Sequence, residues 1–260
     1  MLRVKAPGLL YYPPVPHTLR DWLAEEPFSL ALSAGFFGFF AHAGFVAALE
    51  EAELRPARTF GSSAGALVAG LWSSGRSARD LRERFFALKR EDFWDPAPGA
   101  GLLRGGLFRG ILEAELGART FDACRIPFAA SAFDVRGATT RVLSAGDLAP
   151  AIQASCSFPG LFHPVWIDGR PYLDGGIADR SGLRGVPAGA RVLYHHLEST
   201  TPGKRWLGRL MPRPQRPAMA TVHVAGLPSL GPFRLERGRD AFEHSRRTLL
   251  ARLHTTLDVP

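Results

Sequence analysis

The sequence is poor in lysine and cysteine and has no long hydrophobic run. Lys5, Lys89 and Lys204 are the only lysines among 32 basic residues, so arginine carries most of the formal net charge of +8. That balance favours anionic partners, although an arginine-biased genome would produce the same composition. No basic helix or aromatic platform accompanies the charge, so no nucleic-acid partner is expected. Cys124 and Cys156 show neither CxxC nor Cys/His ligand spacing, which argues against a disulfide scaffold and a zinc site. No metal or other cofactor is expected. Nowhere are there the roughly 18 to 20 continuous apolar residues of a membrane span. Pro13, Pro14 and Pro16 break the N-terminal stretch before it takes signal-peptide form. The expectation is a soluble cytoplasmic protein.

At 260 residues and 46% hydrophobic, the chain is long enough for a sizeable core in one domain. "FSLALS" at 28–33 reads as a buried strand, and "FFAHAGFVAALEEAEL" from Phe39 has helical spacing. "ARTF" at 57–60 and "AGALVAGLWSSG" repeat the strand-to-helix unit, which points to α/β layering. "SARDLRERFFALKR" and "GLFRGILEAEL" read as helices, and "EDFWDPAPGAGLLRGG" between them as an irregular Gly/Pro-rich loop. "IPFAASAFDV" and "TTRVLSAG" read as paired strands joined at Arg136-Gly137. "GDLAPAIQASCSF" reads as a helix with Asp147 as N-cap. A hairpin signal stands at Asp168-Gly169, "ARVLYHHLE" is a later strand, and a last helix runs from about Arg239 to Leu253.

"FGSSAGALVAG" carries adjacent serines. Only Ser63 has glycines at minus two and plus two, Gly61 and Gly65, with a strand before it and a helix after it. A serine so placed sits on a sharp turn over a helix N-terminus, where partial positive charge favours an alkoxide. Ser62 would point away, and an ordinary Gly/Ser turn reads the same from the pentapeptide alone. "SAGFFG", Ser33 to Gly38, lies between a strand and a helix start and offers backbone N–H groups for an oxyanion. A glycine-rich turn and a phosphate loop are the alternatives, but neither nucleotide-binding glycine pattern is complete.

Two readings exist for the proton acceptor. A Ser-His-Asp triad would use one of the later histidines, with His195 and His196 side by side on a strand so that one points inward. Asp174 in "RPYLDGGIAD" is the other, at a strand end before Gly175 and Gly176. It would need a dry setting, such as Tyr172, Leu173 and Ile177 could supply, to raise its basicity. His42 reads as a packing or capping residue.

Together these blocks resemble the patatin-like phospholipase family, from about Phe28 to Gly176. The resemblance is carried by "LSAGFFGFFAHAGFVAALEE", "FGSSAGALVAG" and "AIQASCSFPGLFHPVWIDGRPYLDGG", in that order. It implies a three-layer α/β/α fold with a central mainly parallel sheet, as a domain over 28–260 after an N-terminal extension, 1–27. It also implies lipid acyl ester hydrolysis by a Ser-Asp dyad without metal. Ser63 would be the nucleophile, Asp174 the base, and the amides of Ala34, Gly35 and Phe36 the oxyanion hole. Gly38, Gly61, Gly65, Gly175 and Gly176 would be the motif glycines. Ser33 stands where the family usually has glycine, and Phe37 where it often has Arg or Lys. Phe37 resembles the residue of animal triacylglycerol lipases in this superfamily, so both phospholipid and neutral glycerolipid remain substrates. A catalytically silent lipid- or partner-binding module and a triad esterase are the alternative readings.

Two segments bear on access to lipid. "TPGKRWLGRLMPRPQRP" mixes cations with Trp206, Leu207, Leu210 and Met211 and has no acid, so it reads as a solvated loop or as a peripheral contact with an anionic membrane surface. "DFWDPAPGAGLL" reads as a mobile cover over the site.

Overall fold

The computed structural model describes residues 18–198 and 214–257. Five strands form the parallel part of its main sheet: β1 (Ser29–Leu32), β2 (Arg58–Ser62), β4 (Phe128–Asp134), β9 (Val192–Leu197) and β10 (Met219–Val224). With β7 (Val165–Ile167) and β8 (Arg170–Asp174) the order is β10-β9-β1-β2-β4-β8-β7, and β5 (Thr139–Leu143) also pairs with β4. β5, β7 and β8 run antiparallel to their neighbours.

β1 is buried on both faces, as a central parallel strand requires. Its period of two sends Leu30 and Leu32 into the larger core and Ala31 into a smaller one with Phe60, Val192 and Tyr194. The larger core lies under α2 (Phe39–Glu51), α3 (Ala64–Ser73), α4 (Ala78–Ala87), α6 (Leu148–Cys156) and α7 (Gly238–Leu253). The smaller is closed by Leu183, Val186 and Ala190. The α/β/α architecture is therefore asymmetric, with one thick helical layer and one thin layer. No helix among the described residues is long and apolar enough to cross a membrane.

Several local expectations meet their physical test. Asp134 accepts the N–H groups of Arg136 and Gly137, both at 3.0 Å, and so builds the β4–β5 turn. Asp168 and Gly169 both adopt positive φ, 47° and 70°, as a tight hairpin demands. Asp147 occupies the N-cap of α6, but its side chain makes no capping bond. The segment expected to be irregular contains a strand, β3 (Gly101–Leu103), before α5 (Gly106–Glu115). Its partner β6 (Gly160–Phe162) lies far along the chain, so no local pattern announces the pairing. Within the expected extension, α1 (Leu19–Glu25) is held by a Thr18/Asp21 capping box and buries Leu19, Trp22 and Leu23 against the core.

Candidate active site

Ser63 sits between β2 and α3 at φ 53°, ψ −123°. For a residue with a Cβ this conformation costs about 1–3 kcal/mol and persists only where its surroundings impose it. The two glycines explain how the turn closes. A Cβ on Gly65 would lie 2.2 Å from the Leu32 carbonyl oxygen, and one on Gly61 would lie 2.5 Å from the Ala66 nitrogen. The turn is also pinned from α6. Ser63 N–H donates to Ser155 Oγ at 2.9 Å, Ser155 Oγ–H donates to the Ser131 carbonyl at 2.7 Å, and the Cys156 thiol donates to the Ser63 carbonyl at 3.1 Å. Ser62 is buried, and its Oγ makes no hydrogen bond among the described residues.

Ser63 Oγ–H donates to Asp174 Oδ2 at 2.6 Å. The other carboxylate oxygen accepts the Gly176 N–H at 2.8 Å. Asp174 is 4% exposed, and burial pushes its pKa up to about 6 against the opposing pull of those two hydrogen bonds. Tyr172, on the same strand, is buried, whereas Ile177 is 44% exposed.

Among the described residues no histidine bonds Ser63 or Asp174. His163 Nε2 meets the carbonyls of Ala97 and Gly101, His244 meets that of Ala225, and Tyr194 Oη lies 2.9 Å from His196 Nδ1. His195 does point inward, but against His42.

The loop from Ser33 to Gly38 borders the same site. Of its three amides expected to face an oxyanion, that of Ala34 donates to the Arg180 carbonyl at 2.8 Å. The Ala34 amide is thus engaged by the protein itself, while Ala34 lines the same cavity as Gly35 and Phe36. Phe37 takes φ 54°, and Gly38 N–H closes a turn on the Gly35 carbonyl at 2.9 Å.

Ser63, Asp174, Gly35, Phe36 and Gly176 line one cavity of about 530 Å³. It follows one face of α3 through Ser63, Leu67 and Leu71 and is also lined by Phe108, Ile111 and Leu112 of α5. Arg84 also lines it, with its Nε 3.0 Å from Glu115 Oε1. The segment expected to cover the site contributes Phe93 to the wall. It is tied down: Asp95 accepts the N–H groups of Gly105 and Leu107 at 3.0 and 3.1 Å.

Ser155 and the His42–His195 contact were not legible as site features. Their partners lie on other elements, and no spacing in the sequence marks them.

A family model described as patatin-like phospholipase matches residues 30–186. An NTE family protein of Mycobacterium tuberculosis is 32% identical over 174 residues, 64% of this chain and 47% of its own length. Lysophospholipase nte1 of Emericella nidulans is 28% identical over 187 residues, 68% of this chain and 12% of its own. VipD from Legionella pneumophila shares the fold, with a TM-score of 0.65 at 14% identity over 89% of this chain and 67% of that one. The chain thus spans about half the length of the mycobacterial relatives it matches.

Proposed function

The chain belongs to the patatin-like phospholipase family, and from that premise we propose that it hydrolyses carboxylic esters of lipids through Ser63 and Asp174. The observation that carries the reading is the 2.6 Å hydrogen bond from Ser63 Oγ to a buried carboxylate, on the wall of an apolar cavity. A carboxylate in water is too weak a base for serine. Burial that lifts Asp174 to about 6 brings it closer to the range in which proton transfer is efficient near neutral pH.

In the proposed reaction Ser63 Oγ attacks the ester carbonyl carbon while its proton passes to Asp174. The tetrahedral intermediate's charge falls to the amides of Gly35 and Phe36 and to the N-terminus of α3. The intermediate collapses as Asp174 returns the proton to the leaving alcohol, leaving an acyl-Ser63 ester. Water, deprotonated by the same carboxylate, then releases the fatty acid. The acyl chain lies along α3 in the 530 Å³ cavity. Substrates are phospholipids, lysophospholipids or neutral glycerolipids, with the hydrolase domain extending over 28–260. The membrane-contact segment expected over 201–217 lies, through residue 213, outside the described residues.

A fluorophosphonate probe tests this, because only an activated serine reacts with it. Labelling mapped to Ser63 and absent in Ser63→Ala is expected. An unlabelled protein that still binds lipid vesicles would favour the silent module, for which the engaged Ala34 amide speaks. Labelling that survives Ser63→Ala would overturn the assignment.

A further inference from the structure

The mechanism leaves two fully buried histidines unused, and they touch one another. His42 lies on the first turn of α2, where side chains lean back towards the helix N-terminus. Its Nε2 is 2.7 Å from the Ser33 carbonyl oxygen, and its Nδ1 is 2.9 Å from His195 Nδ1. His195 Nε2 is 3.4 Å from Ser245 Oγ on α7. Phe45 stacks on the His195 ring at 3.9 Å between centroids. His42, His195, Ser33 and Ser245 are each 0% exposed.

Burial holds both rings neutral, His42 with a pKa of about 3 and His195 well below the ordinary value. For neutral rings one assignment of protons satisfies every contact. The Ser33 carbonyl accepts only, so His42 carries its proton on Nε2. His42 Nδ1 then accepts from His195 Nδ1–H, and His195 Nε2 accepts from the Ser245 hydroxyl. The hydrogen bonds run in one direction, from α7 through β9 and α2 to the start of the loop.

That endpoint is specific. Ser33 N–H donates to the His195 carbonyl at 3.2 Å, and Ser33 Oγ accepts the Leu197 N–H at 2.9 Å. The Ser33–Ala34 peptide is planar. His42 grips its carbonyl, and the Arg180 carbonyl takes its N–H at 2.8 Å. The next two amides are those of Gly35 and Phe36.

We infer that His42, backed by His195, is a positioning residue for the oxyanion loop. By clamping the Ser33 carbonyl it sets the peptide plane from which the Gly35 and Phe36 amides are aimed at the ester carbonyl. The inference rests on the hydrolase reading above.

The test compares two amide substitutions. His42→Gln places its amide nitrogen near the imidazole Nε2 position and keeps a donor for Ser33. His42→Asn places its amide near the Nδ1 position, within reach of His195 only. A displaced oxyanion loop lowers kcat about 10- to 100-fold, so His42→Asn is expected to lose that much with KM within about twofold. His42→Gln is expected to recover most of the rate. Affinity for an aliphatic trifluoromethyl ketone, which forms a hemiketal oxyanion with Ser63, should fall in step with kcat/KM in the Asn variant. A purely structural histidine would leave the two variants alike and the ketone affinity unchanged, and that result would overturn the inference. If His42→Asn does not fold, Ser245→Ala, at the far end of the relay, carries the test. It is expected to lower kcat a few-fold at constant KM, and wild-type kcat there would equally overturn it. A wild-type protein that neither hydrolyses nitrophenyl esters nor reacts with fluorophosphonate fails the hydrolase reading itself. An active enzyme indifferent to these substitutions fails only the positioning role.

Discussion

Ser131 and Ala132 are neighbours on β4, yet they pair with strands that run in opposite directions. Ser131 pairs with Ser62 at the end of parallel β2, and Ala132 pairs with Asp174 at the end of antiparallel β8. β5 spans both positions of β4, so β2 and β8 share the other edge and meet there head-on. The residues at and just past their ends, Asp174 and Ser63, are thereby brought to 2.6 Å. Gly175 permits the meeting, since a Cβ there would lie 2.1 Å from the Ser131 carbonyl oxygen.

Activity should fall with acid because only the ionised carboxylate accepts a proton. With Asp174 at a pKa of about 6, kcat/KM is expected to drop about tenfold per pH unit below that value. Asp174→Asn should lose at least about 1,000-fold and lose the acid limb with it. A rate profile on a short-chain nitrophenyl ester between about pH 4.5 and 8 checks both, and a profile flat through pH 6 would count against the base assignment.

The same shift has a stability consequence of opposite sense. The folded pKa lies above the unfolded one, so the native state binds the extra proton between 3.8 and about 6. Stability is lost as pH rises through that window. Asp174→Asn is therefore expected to be more stable than wild type at pH 7, by about 1–3 kcal/mol, with the difference vanishing below about pH 4. Denaturant melts at the two pH values read it directly.

The cavity predicts where chain length is selected. Ile111 of α5 faces the 530 Å³ space that begins at Ser63. Ile111→Trp should cut hydrolysis of a dodecanoyl ester about tenfold or more and leave a butanoyl ester near wild type, since filling a preformed apolar pocket excludes the ligand's distal atoms. An unchanged chain-length profile would place the acyl chain elsewhere.

Neither thiol should react as a nucleophile at neutral pH. Burial and the nearby Asp174 carboxylate push the Cys156 pKa well up, and burial lifts Cys124 to about 11. Alkylation needs thiolate. Iodoacetamide at neutral pH is expected to leave activity intact, and time-dependent inactivation blocked by substrate would contradict this.

Two glycine substitutions should move stability in opposite directions. Gly65→Ala would drive its Cβ into the Leu32 carbonyl and cost about 3–5 kcal/mol, seen as a Tm at least several degrees lower. Gly110, inside α5, has nothing within 4 Å of its added Cβ. Gly110→Ala should therefore stabilise by about 0.5–1 kcal/mol through helix propensity.

The sequence by itself determined what depends on neighbours in the chain. The short apolar run "FSLALS", helical spacing after Phe39, the glycines around Ser63 and the Asp168-Gly169 turn are local patterns, and each corresponds to the expected element. Ser63 and Asp174 were recognisable as candidates because strand ends followed by glycine are visible within a few residues. Tertiary structure alone decided how those candidates relate. The head-on approach of β2 and β8 depends on β4 holding both on one edge. The pairing of β3 with β6 and the Ser155 prop are likewise long-range. The Ala34 amide passed to the Arg180 carbonyl, and His42 and His195 to each other, because buried polar groups must find partners wherever the fold brings them. Such partners are set by strand register and helix packing, which no short stretch of sequence encodes.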